Sequence, residues 1–202
     1  MGFRKRDLGQ RNMRSQRLVA SLDLFDPKNK LKVNIGSLLI ALFVVMGFGV
    51  VLSHLGQSTY WLLLPGILLI PTTFLHEILH YLFQWLFSRS KPHIGFKFPF
   101  PYSALAPNTY ITRNQGVFCA LAPFLFITPI LVLSSLFMNP LLKTLFWVWA
   151  LLEGATCFGD FFAVLWLLRH PKHLKLANVN LSNALFEVTE SRKDDHREEK
   201  SL

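Results

Sequence analysis

Residues 60–87 read YWLLLPGILLIPTTFLHEILHYLFQWLF, an apolar run interrupted by one acid, Glu77, and two imidazoles, His76 and His80. At about 1.5 Å of rise per residue, such a run is long enough as a helix to cross a hydrocarbon core of about 30 Å. Three more runs have that length, from about Ile35 to Ser53, Val117 to Met138 and Leu141 to Leu168. The second and fourth runs are long enough to require tilting or kinking, and Pro65 and Pro71 are placed to bend the second. Hydrophobic residues make up 51% of the chain and charged residues only 16%, against about 25% charged in soluble domains. The pattern predicts an all-α polytopic membrane protein with four transmembrane helices.

Charge sets the expected orientation. Residues 1–34 carry nine Lys and Arg, the connection 54–59 none, the loop 88–116 four, the turn after Met138 only Lys143, and residues 169–202 seven. The positive-inside rule then puts both termini and the loop 88–116 in the cytoplasm. The net charge of +9 flanks the apolar runs, which suits a lipid bilayer surface and not nucleic acid. Three segments follow: a basic cytoplasmic N-terminal segment (1–34), a four-helix membrane domain (35–175) and a polar cytoplasmic tail (176–202). Within the loop, Ile94–Phe98 and Thr109–Thr112 have strand character with Pro99, Pro101 and Pro107 between them, so a short extended loop or hairpin is expected there. Residues 174–188 suit a strand or a surface helix, and the chain from Glu187 onward has the composition of a disordered tail. Cys119 and Cys157 both fall in apolar runs and read as small core residues, not as a disulfide framework.

The sequence His76-Glu77-Ile78-Leu79-His80 carries the chemistry. On a helix, two imidazoles four residues apart lie one turn apart on one face and can reach one zinc ion. Glu77 is rotated by about 100° from His76, beside the metal position. There it can act as a general base towards a water that zinc activates. Chance would assemble this pattern in a chain of this composition on the order of once in a hundred. Its place inside a span makes a functional use stronger still, because ionisable side chains are costly in a bilayer.

Zinc needs a third protein ligand. Besides Glu77, the spans hold only Glu153 and Asp160. Counted back from Ser88, His80 and His76 lie roughly 12 and 18 Å deep; counted back from Arg169, Asp160 lies at roughly 13 Å and Glu153 at roughly 24 Å. Depth therefore selects Asp160 as the ligand. Glu153 stands seven residues before Asp160, two turns away on the same face. It can orient a ligand as a second-shell residue, relay protons, hold a polar substrate group, or be a protonated acid bonded to a neighbouring helix. His54, His93, His170, His173 and His196 read as surface histidines. Arg113 and Asn114 read as contacts to substrate or lipid headgroups.

With His76–His80, Leu121-Ala122-Pro123 and Gly159-Asp160 in place over residues 35–175, the chain resembles a bacterial family of four-span membrane zincin peptidases. It is also similar to the site-2 type of intramembrane metalloprotease, with Phe161 after the Asp where that group has Gly, and without its Asn-x-x-Pro. The resemblance implies a zinc metallopeptidase of the bacterial plasma membrane acting on membrane proteins or peptides. The alternative reading is a non-catalytic membrane protein in which the His, Glu and Asp cluster is a structural metal clasp or binding site.

Overall fold

The computed structural model describes residues 16–24, 26–97, 100–179 and 182–188. Helix α1 spans Pro27–His54. It starts eight residues before its apolar run because local chemistry fixes the start. Pro27 occupies the first turn, and the Asp26 side chain accepts from Lys28 N at 3.0 Å. A 3-10 turn, Thr59–Leu62, leads into α2, Leu63–Ser88, which contains Pro71 and carries the His-Glu-x-x-His sequence. Helix α3, Arg113–Ser135, begins with a reciprocal capping box between Thr112 and Gln115 and contains Pro123 and Pro129.

The fourth apolar run is two helices, α4 (Pro140–Thr156) and α5 (Phe158–Leu168), bent by 47° at Cys157. Thr156 Oγ1 donates to Glu153 O at 2.7 Å beside the break. Such a side-chain bond to the preceding turn competes with the backbone ladder and bends helices. Helices α1, α2 and α3 are long and apolar enough to cross a membrane, and the bent pair adds a fourth crossing if it is one span. Their outer faces carry large apolar side chains such as Leu38, Phe43, Ile70 and Ile130, all exposed, a surface suited to lipid. Inward, Phe48 and Leu52 of α1 pack against Leu145, Val148 and Leu152 of α4. Gly36 lets α1 approach α5 closely: a Cβ there would collide with the ring of Phe158.

The chain is mostly helical, but an all-α description leaves out a four-stranded antiparallel sheet, ordered β1-β6-β5-β4. Its strands are β1 (Gln16–Leu22), β4 (Ile111–Thr112), β5 (Lys175–Val179) and β6 (Ser182–Val188). Residues 174–188, open between strand and helix in sequence, thus form strands. Register pairs Leu176 with Leu185 and Ile111. These residues join Leu174, Leu167 of α5 and Cys119 of α3 in one buried cluster, which docks the sheet on the ends of α3 and α5. Leu185 is fully buried, worth about 1.5–3 kcal/mol of transfer free energy. The tail beyond residue 188 lies outside the described residues.

The hairpin in the loop has a different second arm from the one expected. Strand β2 (His93–Lys97) pairs with β3 (Phe100–Ala104), setting Phe96 opposite Pro101, while Ile111–Thr112 joins the four-stranded sheet. Pro101 is tolerated because both strands of a two-stranded ribbon are edges. Ser103 Oγ donates to Gln84 Oε1 at 3.0 Å, tying β3 to α2.

Candidate metal centre

The site is built around α2, where His76 and His80 are both buried with ring centroids 4.7 Å apart. Each ring is held by its Nδ1. His80 Nδ1 donates to the backbone carbonyl of Cys119 at 2.9 Å. That carbonyl is free because its helical partner would be the N–H of residue 123, which is proline. His76 Nδ1 donates to Glu153 Oε1 at 3.0 Å. Glu153 is fully buried in the last turn of α4, and its Oε2 has no partner among the described residues. One turn before His76, Trp149 Nε1 donates to Thr72 Oγ1 at 3.0 Å, which links α4 to α2 beside the site.

A carbonyl only accepts, so the proton of His80 sits on Nδ1 and the lone pair on Nε2. A carboxylate at Nδ1 selects the same tautomer for His76. The two Nε2 atoms then face each other at 3.1 Å, and Asp160, in the first turn of α5, presents Oδ2 at 3.1 Å from His76 Nε2 and Oδ1 at 3.3 Å from His80 Nε2. Lone pairs converging this closely repel unless a cation lies among them. Ligands about 2.0–2.1 Å from a tetrahedral zinc stand about 3.3 Å apart, so the spacing and the donor types fit zinc.

Glu77 does not share that convergence but lies at its edge. A carboxylate oxygen of Glu77 is within 4.8 Å of ligand nitrogens of both histidines, and Glu77 lines, with Asp160, two cavities that open over the site. The structure thus brings His76, Glu77, His80 and Asp160 together, with Glu153 on the far side of the His76 ring.

Sequence reading missed four contributors. Cys157, taken as a plain core residue, lies with its Sγ 3.8 Å from His76 Nδ1 and forms a second possible ligand group with His76 and Asp160. Its spacing, four residues after Glu153 and three before Asp160, is the signal that could have found it. The Cys119 carbonyl was legible from Pro123 four residues on. Pro101 of the hairpin and Leu24, between β1 and α1, line both cavities, and no local pattern reveals that. Arg113 is not a headgroup contact. It is buried, and its guanidinium donates to the carbonyl of His170 at 2.7 Å and to Asn114 Oδ1 at 2.9 Å. His54, His93 and His173 are exposed, His170 is half-buried with Nδ1 on the Trp166 carbonyl at 2.8 Å, and His196 lies outside the described residues.

A protein-family model described as "Putative zincin peptidase" matches residues 69–175, just over half of the chain and all of the site. No curated protein and no solved structure matches the chain.

Proposed function

The chain belongs to the family described as "Putative zincin peptidase", and on that premise we propose that it is a membrane-embedded zinc metallopeptidase that hydrolyses peptide bonds of membrane or membrane-proximal substrates. The observation that carries this reading is the meeting of two Nε2 lone pairs with the Asp160 carboxylate, each ring locked from behind at Nδ1. His76, His80 and Asp160 would hold the ion, and Glu153 and the Cys119 carbonyl would orient the two rings. Bound zinc supplies Lewis-acid activation of a water and of the scissile carbonyl. Glu77, at the cavity edge, takes the proton of the attacking water and delivers it to the leaving amine.

The bent pair α4–α5 counts here as one span, giving four crossings with both termini in the cytoplasm. Strand pairing supports this. β1 precedes the first span, β4 lies between the second and third, and β5 and β6 follow the last, yet all four share one sheet. Elements of one sheet lie on one side of a membrane, which requires an even number of crossings before each of them. The Lys and Arg distribution then makes that side cytoplasmic.

The test is Glu77→Gln, compared with wild type at equal zinc content in a cleavage assay on candidate membrane substrates. Gln keeps the shape but cannot accept the proton, so the rate should fall by about 10²–10⁴. Equal cleavage by both proteins would leave the site a metal clasp and not a peptidase centre.

A further inference from the structure

Two cavities over Glu77 and Asp160 run in different directions. One, of about 280 Å³, reaches away from the break towards Gly116, Ala120, Ala163 and Leu167, and Asn34, Ser103, Asn178 and Asn183 also line it. The other, of about 320 Å³, reaches towards the α4–α5 break and is lined by Ser37, Thr73 and Thr156 beside His76. Every one of these hydroxyls already spends its hydrogen inside the protein. Ser37 Oγ donates to Ala155 O at 2.7 Å, Thr73 Oγ1 to Leu69 O at 2.8 Å and Thr156 Oγ1 to Glu153 O at 2.7 Å. A hydroxyl oxygen that donates still has lone pairs to offer. The three hydroxyls therefore present acceptors, from three different elements, with their own protons taken, and the Asn34 amide beside them offers both a donor and an acceptor.

We propose that the cavity bounded by Ser37, Thr73 and Thr156 is a side-chain subsite beside the scissile bond, and that it selects a small residue carrying a hydrogen-bond donor, such as Ser or Thr, over an apolar residue of equal size. The proposal rests on the peptidase reading above and adds its substrate class: a membrane segment with a hydroxyl-bearing residue next to the cleaved bond. An apolar side chain placed there covers these lone pairs without answering them, whereas a hydroxyl donates to one of them. Most residues of a membrane span are apolar, so this discrimination would set the cut position along an otherwise uniform helix. Thr73 is the main determinant, because it lies four residues before Glu77 on the same helix face.

The experiment uses the full chain, purified in detergent and loaded with zinc, and a matched pair of dipeptide hydroxamates that differ only in carrying Thr or Val next to the hydroxamate. Affinity is read by competition with a fluorescent hydroxamate. One hydrogen bond gained should make the Thr compound bind about tenfold tighter. That preference should vanish in Thr73→Val and survive in Thr73→Ser. Equal binding of the two compounds to wild type, or a preference that persists in Thr73→Val, overturns the subsite while leaving the peptidase reading intact. Zinc-loaded protein that binds neither hydroxamate overturns the metallopeptidase reading, and the subsite with it.

Discussion

Replacing Pro123 by Ala should weaken zinc binding without touching any proposed ligand. The substitution gives residue 123 an N–H, which in a continuous helix points at the carbonyl of Cys119. That oxygen is the one that now receives His80 Nδ1–H at 2.9 Å. Partners that orient a metal-binding histidine are worth 10–100-fold in affinity. A carbonyl has two lone pairs and can serve both donors at once, so the bond to His80 weakens instead of vanishing. The lower end applies, about tenfold or about 1.4 kcal/mol. Stability of the metal-free protein should move the other way or stay level. Removing an interior proline favours a helix by up to about 3 kcal/mol, and the void left at this buried position returns roughly 1 kcal/mol. The assay is zinc competition against a chromogenic chelator, together with thermal unfolding of the metal-free protein. Pro129→Ala is the control: it lies in the same helix, and among the described residues no side chain donates to the Leu125 carbonyl that it leaves free. Unchanged zinc affinity in Pro123→Ala, or an equal loss in Pro129→Ala, would refute the idea that a proline-freed carbonyl aims His80.

Glu153 gives a graded pair. Glu153→Leu removes the acceptor behind His76 and should cost 10–100-fold in zinc affinity, while Glu153→Gln keeps an acceptor and should cost about tenfold or less; chelator competition on both checks the order. Leu185→Ala, in the core of the sheet, should destabilise by about 2–5 kcal/mol, read as a lowered unfolding midpoint, with zinc affinity of the folded fraction retained. A reporter fused after Leu202 should be cytoplasmic and one inserted near Gln57 external; an external C-terminus would overturn the orientation.

The helical part of the fold was legible because length and apolarity are local properties, and a bilayer imposes both. The sheet was not. β1 pairs with β6 across the whole length of the chain, and β4 contributes only two residues, so no window of sequence contains a pair. The same limit explains the hairpin. Strand propensity picked out Ile111 and Thr112 correctly as extended, but which strand they join depends on where Leu176 lies, a tertiary fact. In the site, helix rise along two spans placed Asp160 level with the histidines, and the structure brings its carboxylate to both Nε2 atoms. Depth also set Glu153 apart, roughly one turn beyond His76, but it could not show that the acid reaches back to the far nitrogen of that ring.

Proline and histidine answer each other's cost here. In a membrane, a carbonyl without its helical N–H has no water to turn to, and a ligand histidine without a fixed tautomer presents lone pair and proton indifferently. Pro123 creates the first problem at Cys119 and His80 resolves it, while the same bond settles the tautomer of His80. Glu153 and His76 stand in the same relation. A fully buried carboxylate needs a donor, and the ring needs an acceptor at Nδ1 so that Nε2 faces Asp160. Each histidine is therefore positioned by a group that would itself be costly to bury unpaired. That mutual dependence aims both rings at one point and fixes which nitrogen each presents, as a metal site requires.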